Sequence, residues 1–186
     1  DQGDHQKVDL AKMIGTEIPA FLDKLLEENE VPQLPEGAEG FDSLLGWSAS
    51  SGRAHIDVAL AHPIRLVVNA LGPPPEDVIA RCHAQNVLVG ALVGSPEHAI
   101  AQKQAGVDII IASGTEAGGH TGEITSMVLT PQVVDAVAPT PVLTAGGVGT
   151  GRQMAAALCL GAQGVWTGSI WLTVTEAEEP DALVNK

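Results

Sequence analysis

Basic residues are scarce in this chain: 9 lysines and arginines face 23 aspartates and glutamates, for a formal charge of -14. A surface of that sign repels phosphate backbones and anionic headgroups, which excludes nucleic acid and an anionic membrane as expected partners. Tyrosine is absent and aromatics make up 3% of the residues, so the core must be aliphatic. The 2 cysteines are too few for a disulfide framework. Cys82 and Cys159 fall in expected helices and read as packed thiols, which fits a reducing cytoplasm. No apolar run reaches transmembrane length, and the amino end carries no signal-peptide pattern. No histidine pair has a cysteine or acidic partner at metal-ligand spacing, so no metal site is expected.

What is present is a β/α alternation. The chain has 186 residues, 45% of them hydrophobic, enough to bury a sizeable core. Strands are expected at Ile64 to Ala70, Val87 to Val93 and Val107 to Ala112, with helices at Pro75 to Gln85, Pro96 to Ala105 and Pro131 to Val137. Strand Pro141 to Ala145, a helix from near Arg152, and strand Gly164 to Thr167 follow. Runs that are almost wholly β-branched or aliphatic, separated by helices, point to a parallel sheet covered on both faces. Before them, Asp1 to Glu30 turns helical, with Phe21, Leu22, Leu25 and Leu26 forming an apolar stripe expected to pack against the rest. Pro32, Pro35 and Gly37 mark a link, and Ser51 to Ala61 reads as another helix. The expected division is a helical insertion with its proline-rich link over 1–40 and a β/α portion over 41–186.

The stretch richest in chemistry is Gly114 to Gly122, Gly-Thr-Glu-Ala-Gly-Gly-His-Thr-Gly, at the carboxyl end of the third strand. Glycine lets backbone approach a flat ligand, and ligands of α/β folds bind at the carboxyl ends of strands. His120 is delivered there, and imidazole is suited to proton transfer near neutral pH. Downstream, Gly146-Gly147-Val148-Gly149-Thr150-Gly151 links a strand to a helix for which Thr150 is the expected N-cap. Such a turn aims free amides at an anion. Its glycines do not fit the dinucleotide fingerprint, and no acidic residue about twenty positions on supports a ribose contact. A further strand ends at Gly168-Ser169, so consecutive glycine turns can surround one phosphate with uncharged donors.

In GTEAGGHTG (114–122), PVLTAGGVG (141–149) and ALCLGAQGVWTGSIWL (157–172), the chain resembles the nitronate monooxygenase family of FMN-dependent (β/α)8 barrels. Inosine-monophosphate dehydrogenase-like barrels share the glycine turns but carry a catalytic cysteine loop, and neither Cys82 nor Cys159 lies in one. The resemblance runs from about Ile64 to Glu178 and implies an α/β fold of the TIM (β/α)8 type. The five strands counted here match the fourth to eighth of that barrel. The amino-terminal helical region then becomes an insertion between the third and fourth strands. A fragment or incomplete chain is the favoured explanation over a barrel completed by a second copy in a homo-oligomer.

The same resemblance implies a cytoplasmic FMN oxidoreductase that oxidises nitronates or nitroalkanes with oxygen. His120 would be the catalytic base. Ser113 and Gly119 would lie against the cofactor, Gly146 and Gly147 would form one phosphate turn, and Gly168 with Ser169 the other. Trp166 stands where relatives often have glutamine, which leaves the side-chain contact there open. Asn69, ending its strand, is a weaker candidate for the flavin edge. The alternatives are an NAD(P)H-dependent flavin enoyl-thioester reductase, with an acyl thioester as the small-molecule substrate, and an inactive barrel fragment.

Overall fold

The computed structural model describes residues 15–32 and 49–177. The chain divides into two compact units, 1–62 and 63–186. The boundary expected near residue 40 lies outside the described residues. In the first unit are α1 (Glu17–Glu28) and α2 (Ala49–Leu60). Phe21, Leu22, Leu25 and Leu26 do share one side of α1, at helical spacing, and all are exposed.

The second unit is a parallel sheet of five strands, β1 (Leu66–Asn69), β2 (Leu88–Val93), β3 (Ile109–Ser113), β4 (Val142–Ala145) and β5 (Gly164–Trp166), in the order β1-β2-β3-β4-β5. Helices α3 (Glu76–Ala84), α4 (Pro96–Gln104), α5 (Ser126–Val137) and α6 (Gly151–Cys159) connect them in turn. A doubly wound sheet reverses its strand order at a switch point. Here each strand pairs with the next in sequence, which is the winding of a (β/α)8 barrel wall.

The pairing separates the two faces of the sheet. Thr144 shares a 3.0 Å hydroxyl hydrogen bond with Thr130 of α5, so Thr144 faces the helices. Ala112 pairs with Thr144 and Val93 with Ala112, which puts Val93, Ala91, Val89, Ile110 and Val142 on the same covered side. All are buried, together with Leu129, Val133 and Val137 of α5. Each such valine, leucine or isoleucine side chain contributes about 1.5–3 kcal/mol relative to leaving it exposed. The opposite face is more open: Leu88 is 46% exposed and Trp166 38%. The chemistry-bearing loops all leave the carboxyl ends of these strands.

Local chemistry explains most element ends, and some expectations move. Ser95 caps α4 by accepting from the His98 amide at 3.3 Å, with Pro96 at the first helical position. β3 starts at Ile109 because the Val107 amide closes the end of α4 by donating to the Gln102 carbonyl, at 3.1 Å. Helix α5 begins at Ser126, five residues before the expected proline, so Pro131 lies inside it. The cause is a cap supplied by the His120 loop. In α6 only Ala157 is buried, so Met154 and Leu158 are exposed and Cys159 is not the packed thiol expected. Cys82 is fully buried in α3, where burial pushes its thiol up from the ordinary value.

Candidate active site

The loop from Gly114 to Gly122 is fastened along its length. At its start the Gly114 amide donates to Ala145 of β4 at 3.1 Å, and Thr115 donates to the Ile124 carbonyl at 3.1 Å. Glu116 then reaches the first turn of α5, accepting from the Ser126 amide at 2.9 Å and the Ser126 hydroxyl at 2.8 Å. A carboxylate there satisfies an amide the helix cannot use and complements the helix dipole. Burial works to raise the Glu116 carboxyl, but hydrogen bonds from Ser126, its own backbone amide and Thr115 together outweigh it and hold the group below the usual carboxylate range. Ser126 Oγ also lies 3.1 Å from the Ala145 carbonyl and 3.0 Å from that of Gly146. The His120 loop, the start of α5 and the turn after β4 therefore form one connected cluster.

At its far end the loop is clamped by backbone contact. A Cβ on Gly94 would stand 2.6 Å from the Gly122 amide nitrogen, and one on Gly122 would collide with the Gly94 carbonyl. Glycine at both positions is what allows β2's end and the loop to touch. Between these attachments Gly119 has φ +76, a left-handed conformation, and precedes the exposed His120.

The two downstream turns present amides outward. Gly146 and Gly147 have φ +97 and +70. The Gln153 side chain organises the turn: its Nε2 donates to the Gly147 carbonyl at 2.6 Å, and its Oε1 accepts from the Gly149 amide and the Thr150 hydroxyl, both at 2.9 Å. Thr150 does occupy the N-cap position, but its hydroxyl donates to Gln153 rather than accepting from the helix. The amides of Gly147, Val148, Gly168 and Ser169 find no acceptor among the described residues. These four donors sit at the carboxyl ends of neighbouring strands β4 and β5.

A cavity of about 260 Å³ opens at the carboxyl ends of β1 to β3, with Ser113 and His120 in its wall. Leu71, Leu92, His98 and Gln102 also line it. Ser113 is buried at the last position of β3. The cavity brings Ser113 and His120 together, whereas Gly119, Gly146, Gly147, Gly168 and Ser169 lie outside its wall. Asn69 does not face it. Its Nδ2 donates to Leu71 O at 3.1 Å and to Gly72 O, bracing the loop that forms one wall.

Sequence reasoning gave no role to Glu116, Ser126, Gln153, His98 or Gln102. For Gln153 the signal was present, since threonine followed three residues later by glutamine is a capping-box spacing. Gln102 and His98 are one helical turn apart on α4, but nothing in their pattern says which face meets a cavity. Among the described residues there is no cluster of three or more His, Cys, Asp or Glu side chains able to hold a metal ion. No described helix is long and apolar enough to cross a membrane.

The nitronate monooxygenase family model matches residues 17–186. A Mycobacterium tuberculosis protein named as a monooxygenase is 52% identical over 175 residues, covering 89% of this chain and 44% of that protein. Among solved structures, nitroalkane oxidase from Streptomyces ansochromogenes superposes with a TM-score of 0.67 at 34% identity, covering 72% of this chain and 42% of that one. FabK from Thermotoga maritima, in a Met-to-Ala variant, gives a TM-score of 0.66 at 33% identity, covering 70% and 43%. The chain spans less than half the length of each of these relatives.

Proposed function

We propose, since the chain belongs to the nitronate monooxygenase family, that it carries the FMN phosphate site and catalytic base of an enzyme oxidising nitronates or nitroalkanes with oxygen. The observation that carries this reading is the Glu116–Ser126 attachment, which ties the histidine loop to the glycine turn after β4. That attachment supports a fixed relation between the His120 loop and the turn that carries Gly147 and Val148.

The residues present fit the phosphate end of FMN. The free amides of Gly147, Val148, Gly168 and Ser169 supply uncharged donors, and the Ser169 hydroxyl adds another. A side chain at Gly146 would crowd the Ala117 amide and Ser126 Oγ, each 3.0 Å from its Cβ, so the turn keeps its shape only with glycine. FMN, when bound, supplies the redox chemistry. The protein's part is to bind, orient and move a proton. A ring nitrogen of His120 takes the proton from the carbon bearing the nitro group; Ser113 shares the cavity wall with it, and Gly119, just before it, would lie against the flavin.

The test is titration of the full chain with FMN, followed by flavin fluorescence, and then oxygen uptake with nitronates. Saturable binding with nitronate-dependent oxygen consumption is expected. Flavin-dependent oxidation of NADH or NADPH by an enoyl thioester, without oxygen uptake on nitronate, would instead establish the reductase reading. We place the enzyme in the cytoplasm, acting on a small molecule.

A further inference from the structure

One polar group in the cavity wall is unaccounted for by proton abstraction or phosphate binding. Gln102, on α4, is 3% exposed and lines the same cavity as His120. Its Oε1 is buried without a hydrogen-bond partner among the described residues. Its backbone carbonyl is used, accepting from Val107, but no described residue satisfies the carboxamide. Buried polar atoms are almost always paired, and an orphaned acceptor is destabilising.

Much of the surrounding wall is apolar, including Leu71, Leu92, Val93 and Ala101. A half-turn of the terminal torsion of glutamine exchanges Oε1 for Nε2, so the carboxamide can present either its acceptor or its donors to the cavity. A carboxamide held among apolar side chains favours a ligand whose hydroxyl or amide can pair with the end it presents, because a ligand without one leaves that end unpaired.

We propose that Gln102 is a specificity-determining residue, reading a hydroxyl or amide group on the tail of the substrate whose acidic carbon faces His120. The preferred substrate class is then a hydroxyl- or amide-bearing carbon acid rather than a plain alkyl nitro compound. This rests on the functional reading above for the identity of the reacting carbon, but the recognition step is separable from turnover. The cavity volume of about 260 Å³ lies just below the range usual for drug-sized ligands, which suits a short tail.

The experiment compares two ligands of equal length by calorimetry on the full chain: straight-chain nitropropanol, with its terminal hydroxyl, and nitrobutane, in which methyl replaces that hydroxyl. The alcohol is expected to bind about tenfold more tightly to the wild type, and the two equally to Gln102→Leu. Gln102→Met repeats the comparison in a side chain of similar length, with thermal melting to confirm folding. Equal affinities in the wild type, no binding of either ligand, or a preference that survives both substitutions would overturn the proposal. Tight, Gln102-dependent binding of the alcohol with no flavin-linked oxidation would leave the recognition role standing and defeat the proposed activity.

Discussion

Glu116 Oε2 stands 2.9 Å from the Ser126 amide nitrogen and 2.8 Å from its hydroxyl, which makes a residue of the histidine loop the cap of the next helix. The two residues are separated by a turn, yet the contact decides where α5 begins and how the loop is held. Removing it should be felt in both stability and site geometry.

Glu116→Ala should cost about 1 kcal/mol of stability, the usual worth of an N-terminal cap, and less at high salt because the carboxylate is partly solvated. Its pH dependence has a definite sign. The folded carboxyl lies below its ordinary value, so its stabilisation is present above the unfolded pKa and is lost as pH falls through the folded one. The melting difference between wild type and Glu116→Gln should therefore be full at neutral pH and shrink in acid. A difference that grows on acidification contradicts the assignment.

The Gly94 and Gly122 backbones leave no room for a methyl group on either residue. Gly122→Ala should destabilise by about 1–3 kcal/mol, the range for overpacking, and displace the loop that carries His120. Gly118→Ala is the matched control, since an added Cβ there meets nothing within 4 Å and φ is not positive. Denaturant melts of the two variants should separate clearly.

Gln153 holds the Gly147–Thr150 turn by both ends of its carboxamide. Gln153→Leu should weaken FMN binding by about tenfold, on the order of one or two lost hydrogen bonds, while leaving the global melt little changed. Fluorescence titration of flavin measures it directly, and unchanged affinity would detach this side chain from the cradle.

The buried Thr130–Thr144 pair ties α5 to β4. Thr130→Val alone should cost about 1–3 kcal/mol by orphaning the Thr144 hydroxyl, and adding Thr144→Val should recover much of that loss. A double-mutant cycle with no coupling would mean the hydroxyls are satisfied otherwise.

Most of the sheet was legible in the sequence because strands buried in a parallel sheet read as unbroken aliphatic runs, as Ile109 to Ala112 does. The glycine-turn positions at the ends of β3, β4 and β5 were legible too, since glycine after such a run marks the exit. The start of α5 was not, because its cap comes from Glu116, ten residues earlier in the chain, and no periodicity records a contact made through a loop. Pro131 misled for the same reason: proline favours a first turn, but the helix had already been capped upstream. The exposure of Cys159 shows the limit of reading burial from a place in a helix, which does not say which face is covered.

The most direct test of the central claim uses His120→Asn in the FMN-loaded full chain, with oxygen uptake measured on a neutral nitroalkane and on its preformed nitronate. The account predicts that FMN binding is retained, that oxidation of the neutral compound falls by at least about a hundredfold, the usual contribution of a positioned base, and that the nitronate is affected less. Undiminished oxidation of the neutral nitroalkane by this variant would contradict it.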